Sequence, residues 1–208
     1  MGIETEIKLA LPATQRDAAR QVLGARTQTA GRTIQLSNIY FDTPALALAR
    51  SKAALRLRLA PQGWLQTFKT VGEASGGMHR RHEWEMPVAG EAIELDALLA
   101  ACDVPAAAES LRAAAAQLMP LFRTDFSRTL WHVEQAGAQV EVALDEGEII
   151  AQVGEATRRA PICEIELELL SGDEAVLTVL AAELQAALPG LAPDDTSKAQ
   201  RGYRLRND

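Results

Sequence analysis

Residues 3–9 read Ile3-Glu4-Thr5-Glu6-Ile7-Lys8-Leu9. Side chains of a strand alternate between its two faces, so this stretch separates Ile3, Thr5, Ile7 and Leu9 from Glu4, Glu6 and Lys8. A solvated strand face normally mixes hydroxyls, amides and scattered charges. Here one face is solidly ionic, and like charges two residues apart repel unless a counter-ion lies between them.

The same pattern recurs along the chain. Residues 54–60 set Arg56 and Arg58 against Leu55, Leu57 and Leu59, and residues 64–70 carry Lys69 near their end, before Gly72, Gly76 and Gly77. Residues 80–88 set Arg81, Glu83 and Glu85 against His82, Trp84 and Met86. A strand over 123–134 carries Arg128, and residues 138–145 set Val140, Val142 and Leu144 against Gln139, Glu141 and Asp145. Residues 162–169 alternate Glu164, Glu166 and Glu168 with Cys163, Ile165, Leu167 and Leu169. Helical spacing appears over 13–24 behind Pro12, over 94–101, over 106–119 between Pro105 and Pro120, and over 173–187 ahead of Pro189-Gly190. Many strands with a few helices predict an α+β fold with a mainly antiparallel sheet. If the sheet closes with its ionic faces inward, the apolar faces lie outside, under the helices, as in barrels that enclose a polar lumen. Neither a linker nor a repeat divides the chain, so residues 1–208 are expected to form one domain.

The bulk numbers agree with an ordinary folded chain: 208 residues, 48% apolar and 24% charged. A net charge of -7 argues against general affinity for nucleic acid. Lysine occurs only at Lys8, Lys52, Lys69 and Lys198, so most positive charge is arginine, whose planar fork suits bidentate binding of oxyanions. Cys102 and Cys163 have no metal-ligand spacing and read as reduced, buried small hydrophobes. The chain enters a charged strand directly, without an apolar leader or membrane-length segment, so a cytoplasmic protein with no membrane partner is expected.

Carboxylate oxygens suit hard divalent cations, and magnesium in particular is held by one or two carboxylates together with substrate phosphates. Arginine and lysine neutralise the remaining phosphate oxygens, which is most of what phosphoryl transfer asks of a protein. His79, His82 and His132 lack ligand spacing, and no P-loop, dinucleotide fingerprint or nucleophile elbow is present.

The run at 3–8 is followed in order by Tyr40-Phe41-Asp42-Thr43-Pro44, Leu55-Arg56-Leu57-Arg58, Phe68-Lys69 and Arg81-His82-Glu83-Trp84-Glu85. Then come Arg128, Asp145-Glu146-Gly147-Glu148, Glu164-Ile165-Glu166-Leu167-Glu168 and Ser197-Lys198-Ala199. This ordered set resembles the CYTH superfamily, the triphosphate tunnel metalloenzymes, over almost the whole chain. The final motifs are most similar to bacterial inorganic triphosphatases. The resemblance implies an eight-stranded antiparallel β-barrel with a charged interior and helices outside. It also implies hydrolysis of a triphosphate, with tripolyphosphate expected, and dependence on Mg2+ or Mn2+.

Carried over residue by residue, the resemblance makes Glu4, Glu6, Asp145, Glu164 and Glu166 the metal ligands. Lys8, Arg56, Arg58, Lys69, Arg81, Arg128 and Lys198 become the triphosphate grips. Lys8, Tyr40 and Arg128 are the expected catalytic side chains, Tyr40 as a proton handler if its hydroxyl bonds Lys8. Glu83 and Glu85 fall where tunnel carboxylates balance the basic residues, Glu168 shares the face of Glu164 and Glu166, and Arg123 and Arg201 are further grips. Thiamine triphosphatase, class IV adenylate cyclase and a non-catalytic polyphosphate-binding module are the alternatives on the same fold. A CHAD domain, which follows in many relatives, is not expected within 1–208. The alanine- and leucine-rich helices leave a homodimer open.

Overall fold

The computed structural model describes residues 2–70 and 72–207. In chain order its strands are β1 (Gly2–Ala10), β2 (Arg32–Asp42), β3 (Ala53–Ala60), β4 (Gly63–Thr70), β5 (Glu73–Ser75), β6 (Met78–Pro87), β7 (Met119–Gln135), β8 (Ala138–Val153), β9 (Ala156–Ser171) and β10 (Ala192–Pro193). The helices are α1 (Arg16–Thr27), α2 (Ala47–Arg50), α3 (Leu95–Ala101), α4 (Pro105–Ala114), α5 (Ala175–Ala187) and α6 (Lys198–Asn207).

Eight strands run antiparallel in the order β1-β9-β8-β7-β2-β3-β4-β6, and β6 pairs back onto β1, which closes the sheet. The short β5 and β10 flank that closure. Closure leaves no long open edge for another strand to template on. The register places ionic residues side by side: Lys8 opposite Glu166, Glu4 opposite Arg81, Lys69 opposite Glu83, and Arg128 opposite Asp145 opposite Glu164.

The outward faces bury their apolar side chains under helices. Ile7, Leu9, Val140, Val142, Ile165 and Leu167 pack with Leu23 of α1 and Leu177, Leu180 and Leu184 of α5. On another side, Leu55, Phe68 and Trp84 pack with Leu48 of α2, Leu98 of α3 and Leu111 of α4. Each such fully buried side chain contributes roughly 1.5–3 kcal/mol, so the outside of the barrel is its core. The inversion expected from the alternating charge is what the chain forms. A third cluster, with Tyr40, Phe122, Phe126 and Ile149, receives Tyr203 from α6.

The sequence periods missed two elements that matter to the interior. β2 mixes Ser37, Asn38 and Tyr40 on and between its faces, so no clean alternation marks it. α6 has no apolar stripe and carries Gly202 mid-helix. β8 and β9 are also longer than their periodic segments, reaching Val153 and starting at Ala156. Cys102 and Cys163 are half-buried free thiols rather than fully buried ones.

Candidate functional site

The barrel encloses a cavity of about 720 Å3. Its wall takes Glu4, Glu6 and Lys8 from β1, Arg56 and Arg58 from β3, Lys69 from β4, Arg81, Glu83 and Glu85 from β6, and Arg128 from β7. Glu166 and Glu168 come from β9, Tyr40 from β2 and Lys198 from α6. Asp145 and Glu164, at 0% and 1% exposure, lie behind Lys198 in the same ionic network. The sequence-predicted grips and carboxylates therefore converge. Arg123 does not: its side chain is exposed and pairs with Asp125. Arg201 reaches Glu164 at 3.1 Å.

The interior divides into three groups. On β1, Glu4 accepts bonds from Lys69 Nζ at 3.0 Å and Arg81 Nε at 2.8 Å, and Lys69 also pairs with Glu83 at 2.9 Å. Burial opposes ionisation of Glu4, but Lys69 and Arg81 outweigh it and hold the carboxyl far below the ordinary range. Glu6, bonded by Arg81, is pushed up to about 7 by burial, with Glu166 and Glu4 adding repulsion. Two carboxyls on one strand face thus differ in proton affinity, because burial and two neighbouring carboxylates dominate at Glu6, while Lys69 and Arg81 both bond Glu4 directly.

In the second group Arg128 grips Asp145 with two bonds of 2.7 Å and also reaches Glu166. Lys198 Nζ sits among Asp145 Oδ2, Glu164 Oε1 and Glu166 Oε1 at 2.6, 2.5 and 2.8 Å. Burial again disfavours charge, yet Lys198 and Arg128 hold Glu166 well below its usual range. Burial and the neighbouring Glu166 raise Glu164. The three carboxylates each offer an oxygen within 4.8 Å of the others, a hard-oxygen set of the kind that holds divalent cations. Their chemistry fits a metal, and the ammonium of Lys198 lies where the three negative charges converge.

The third group is short of negative charge. Arg56 Nε donates to Thr67 at 3.2 Å, and its nearest carboxylates, Glu85 and Glu83, are 3.6 and 3.8 Å away. Arg58 Nε donates to Asn38 at 2.9 Å, with Glu85 no nearer than 3.9 Å. Burial, then the charges of Arg56 and Arg128, bring Arg58 down to about 10. Crowded guanidiniums with few acceptors make a pocket of positive potential.

Several residues that shape the site carry no motif. Asn38 orients Arg58, and Thr67 bridges Arg56 and Glu85, donating to the latter at 2.7 Å. Lys8, 1% exposed, gives its ammonium to Asp194 at 3.2 Å. The only legible signal for Asp194 is its place in the Asp194-Asp195-Thr196-Ser197 turn before Lys198. Tyr40 stacks on Phe122 with ring centroids 4.7 Å apart and lies beside Arg56.

Comparison with known proteins places these observations. A family model described as "CYTH domain" matches residues 2–203. The inorganic triphosphatase of Haemophilus influenzae is 36% identical over 206 residues, covering 97% of this chain and 54% of that protein. The chain thus spans about half the length of the curated relative it matches. Among solved structures, HpAC1 from Hippeastrum, described as having a dominant triphosphatase activity, superposes with a TM-score of 0.64 at 21% identity, covering 97% of this chain and 95% of that one. PH1819 from Pyrococcus horikoshii OT3 gives 0.56 at 18% identity, covering 98% and 99%. These structural likenesses speak for the fold.

Proposed function

Because the chain belongs to the CYTH domain family, we propose that it hydrolyses inorganic triphosphate (tripolyphosphate) to pyrophosphate and phosphate inside the barrel. The observation that carries this reading is the buried Arg56–Arg58 pair, whose positive charge is only loosely answered by carboxylates. A polyanion is what such a group lacks. The 36% identity to an inorganic triphosphatase supports the choice of substrate.

Arg56 and Arg58 bind terminal phosphate oxygens, and Arg128 and Lys8 answer the charge that grows on the leaving pyrophosphate. Lys69, Arg81 and Lys198 exchange their carboxylate partners for phosphate oxygens as the substrate enters. Tyr40, beside Arg56, orients a terminal phosphate; the Lys8 ammonium that would make it a proton handler is instead given to Asp194. Glu4, Glu6, Asp145, Glu164 and Glu166 would hold Mg2+ or Mn2+, of which the Asp145–Glu164–Glu166 group has the spacing for one ion. When bound, such an ion supplies Lewis acidity to phosphoryl oxygens and to the attacking water. The two free thiols support a cytoplasmic setting. No helix among the described residues is long and apolar enough to cross a membrane.

A phosphate-release panel tests the reading: tripolyphosphate, thiamine triphosphate and ATP, each with Mg2+ and with Mn2+. Tripolyphosphate is expected to be the best substrate, and Arg58→Gln to lower kcat/KM about 10²–10³-fold with the fold retained. An Arg58→Gln protein as active as the parent removes the arginine crowd from the mechanism.

A further inference from the structure

Two cations that line the cavity are unlike the rest. Lys8, Arg56, Arg58, Lys69, Arg81, Arg128 and Lys198 all have a carboxylate partner. Lys52 and Arg204 line the same cavity, are exposed to solvent, and have no ion-pair partner among the described residues. Exposure combined with cavity lining puts them at its mouth. They come from distant parts of the sequence, one from the turn after α2 and the other from α6.

Lys52 is also held in an unusual backbone state. Its φ is 54°, in the left-handed region that favours glycine, and its N–H closes a turn onto Ala49 O at 3.0 Å. A side chain kept on a strained backbone at a cavity mouth points to use rather than to packing. Tyr40, Phe126 and Tyr203, the aromatic residues of the wall, are buried. A nucleoside base therefore finds little at the mouth to stack on, whereas an anion finds two uncompensated charges.

Resting on the triphosphate reading of the tunnel, we infer that Lys52 and Arg204 form an outer anion subsite. This subsite takes the fourth and later phosphates of a linear inorganic polyphosphate whose end is threaded into the barrel. The protein then binds chain ends, and its ligand class extends from tripolyphosphate to longer polyphosphates. The inner grips hold the terminal units, and the mouth pair holds the part of the chain that leaves the tunnel.

The test is calorimetric binding in metal-free buffer, where turnover does not interfere, using tripolyphosphate, linear tetrapolyphosphate and ATP on the parent and on Lys52→Gln/Arg204→Gln. The parent is expected to bind tetrapolyphosphate about tenfold more tightly than tripolyphosphate, with a steeper loss on raising salt. The double variant is expected to keep the parent's affinity for tripolyphosphate and ATP and its melting temperature, while losing the tenfold gain. Equal weakening for tri- and tetrapolyphosphate would mean general attraction only and overturns the subsite. A loss confined to ATP overturns it in favour of an organic triphosphate. A parent that prefers neither chain length overturns it too, while the tunnel reading stands. If the parent binds no tripolyphosphate at all, the tunnel reading falls first and the subsite with it.

Discussion

At the scale of single residues, the interior is a set of buried charges held in balance. Lys198 carries much of that balance, because its ammonium answers three carboxylates at once. Lys198→Met leaves Arg128 and Arg201 to compensate Asp145, Glu164 and Glu166. Breaking a buried pair on one side typically costs about 3–5 kcal/mol, so the melting temperature should drop sharply. Millimolar Mg2+ or Mn2+, but not sodium at equal ionic strength, should restore part of the loss. No recovery would remove these carboxylates from the metal assignment. His79 gives a second prediction. Its ring nitrogen meets Asp194 O at 3.1 Å, and burial holds the imidazole below its ordinary 6.5, with Arg81 and Lys8 adding repulsion. As pH falls the unfolded chain takes up this proton first, so the stability is present above about 6.5 and lost below it. His79→Asn should therefore show a smaller fall in melting temperature between pH 7 and pH 5 than the parent. Most of these charged residues were legible in the sequence, since alternation and ordered motifs mark Glu4, Lys8, Arg56 and Glu164. Their partners were not. Lys8 and Asp194 are 186 residues apart, and no local pattern links them.

At the scale of elements, α6 is held by close approach. A Cβ added at Gly202 would stand 2.1 Å from the Phe122 ring, so the helix lies directly on β7. Gly202→Ala must push α6 outward, at a typical overpacking cost of about 1–3 kcal/mol. Melting should fall by roughly 2–4 °C per kcal/mol for a chain of this size. Lys198 and Tyr203 would move with the helix, so affinity for tripolyphosphate should fall as well. Unchanged melting and binding would show that α6 has room to shift. The long strands and four of the helices were readable from their periods. β2 was not, because Asn38 is buried to serve Arg58 and breaks the apolar rhythm. Nor was α6, whose helicity comes from packing on the barrel rather than from an amphipathic pattern.

At the scale of the whole molecule, one closed sheet turns its charges inward, and its stability becomes coupled to whatever answers those charges. Tripolyphosphate at a hundred times its dissociation constant should add about 2.7 kcal/mol. A scan showing no rise in melting temperature, with or without Mg2+, would rule out the tunnel as a triphosphate site. The inversion itself was legible once several strands repeated one ionic face. Its closure was not, because nothing in the local pattern says that β1 meets both β6 and β9. That meeting also sets an order in time. A chain emerging from the ribosome makes β1 before the strands it pairs with, of which one begins at residue 78 and the other at residue 156. Glu6 waits for Glu168 until residue 168 has been made. The strand whose alternation announces the fold thus completes its pairing only once β9 has been made. Until then its glutamates and lysine keep a newborn edge charged and water-loving, guarding it against pairing with the wrong chain.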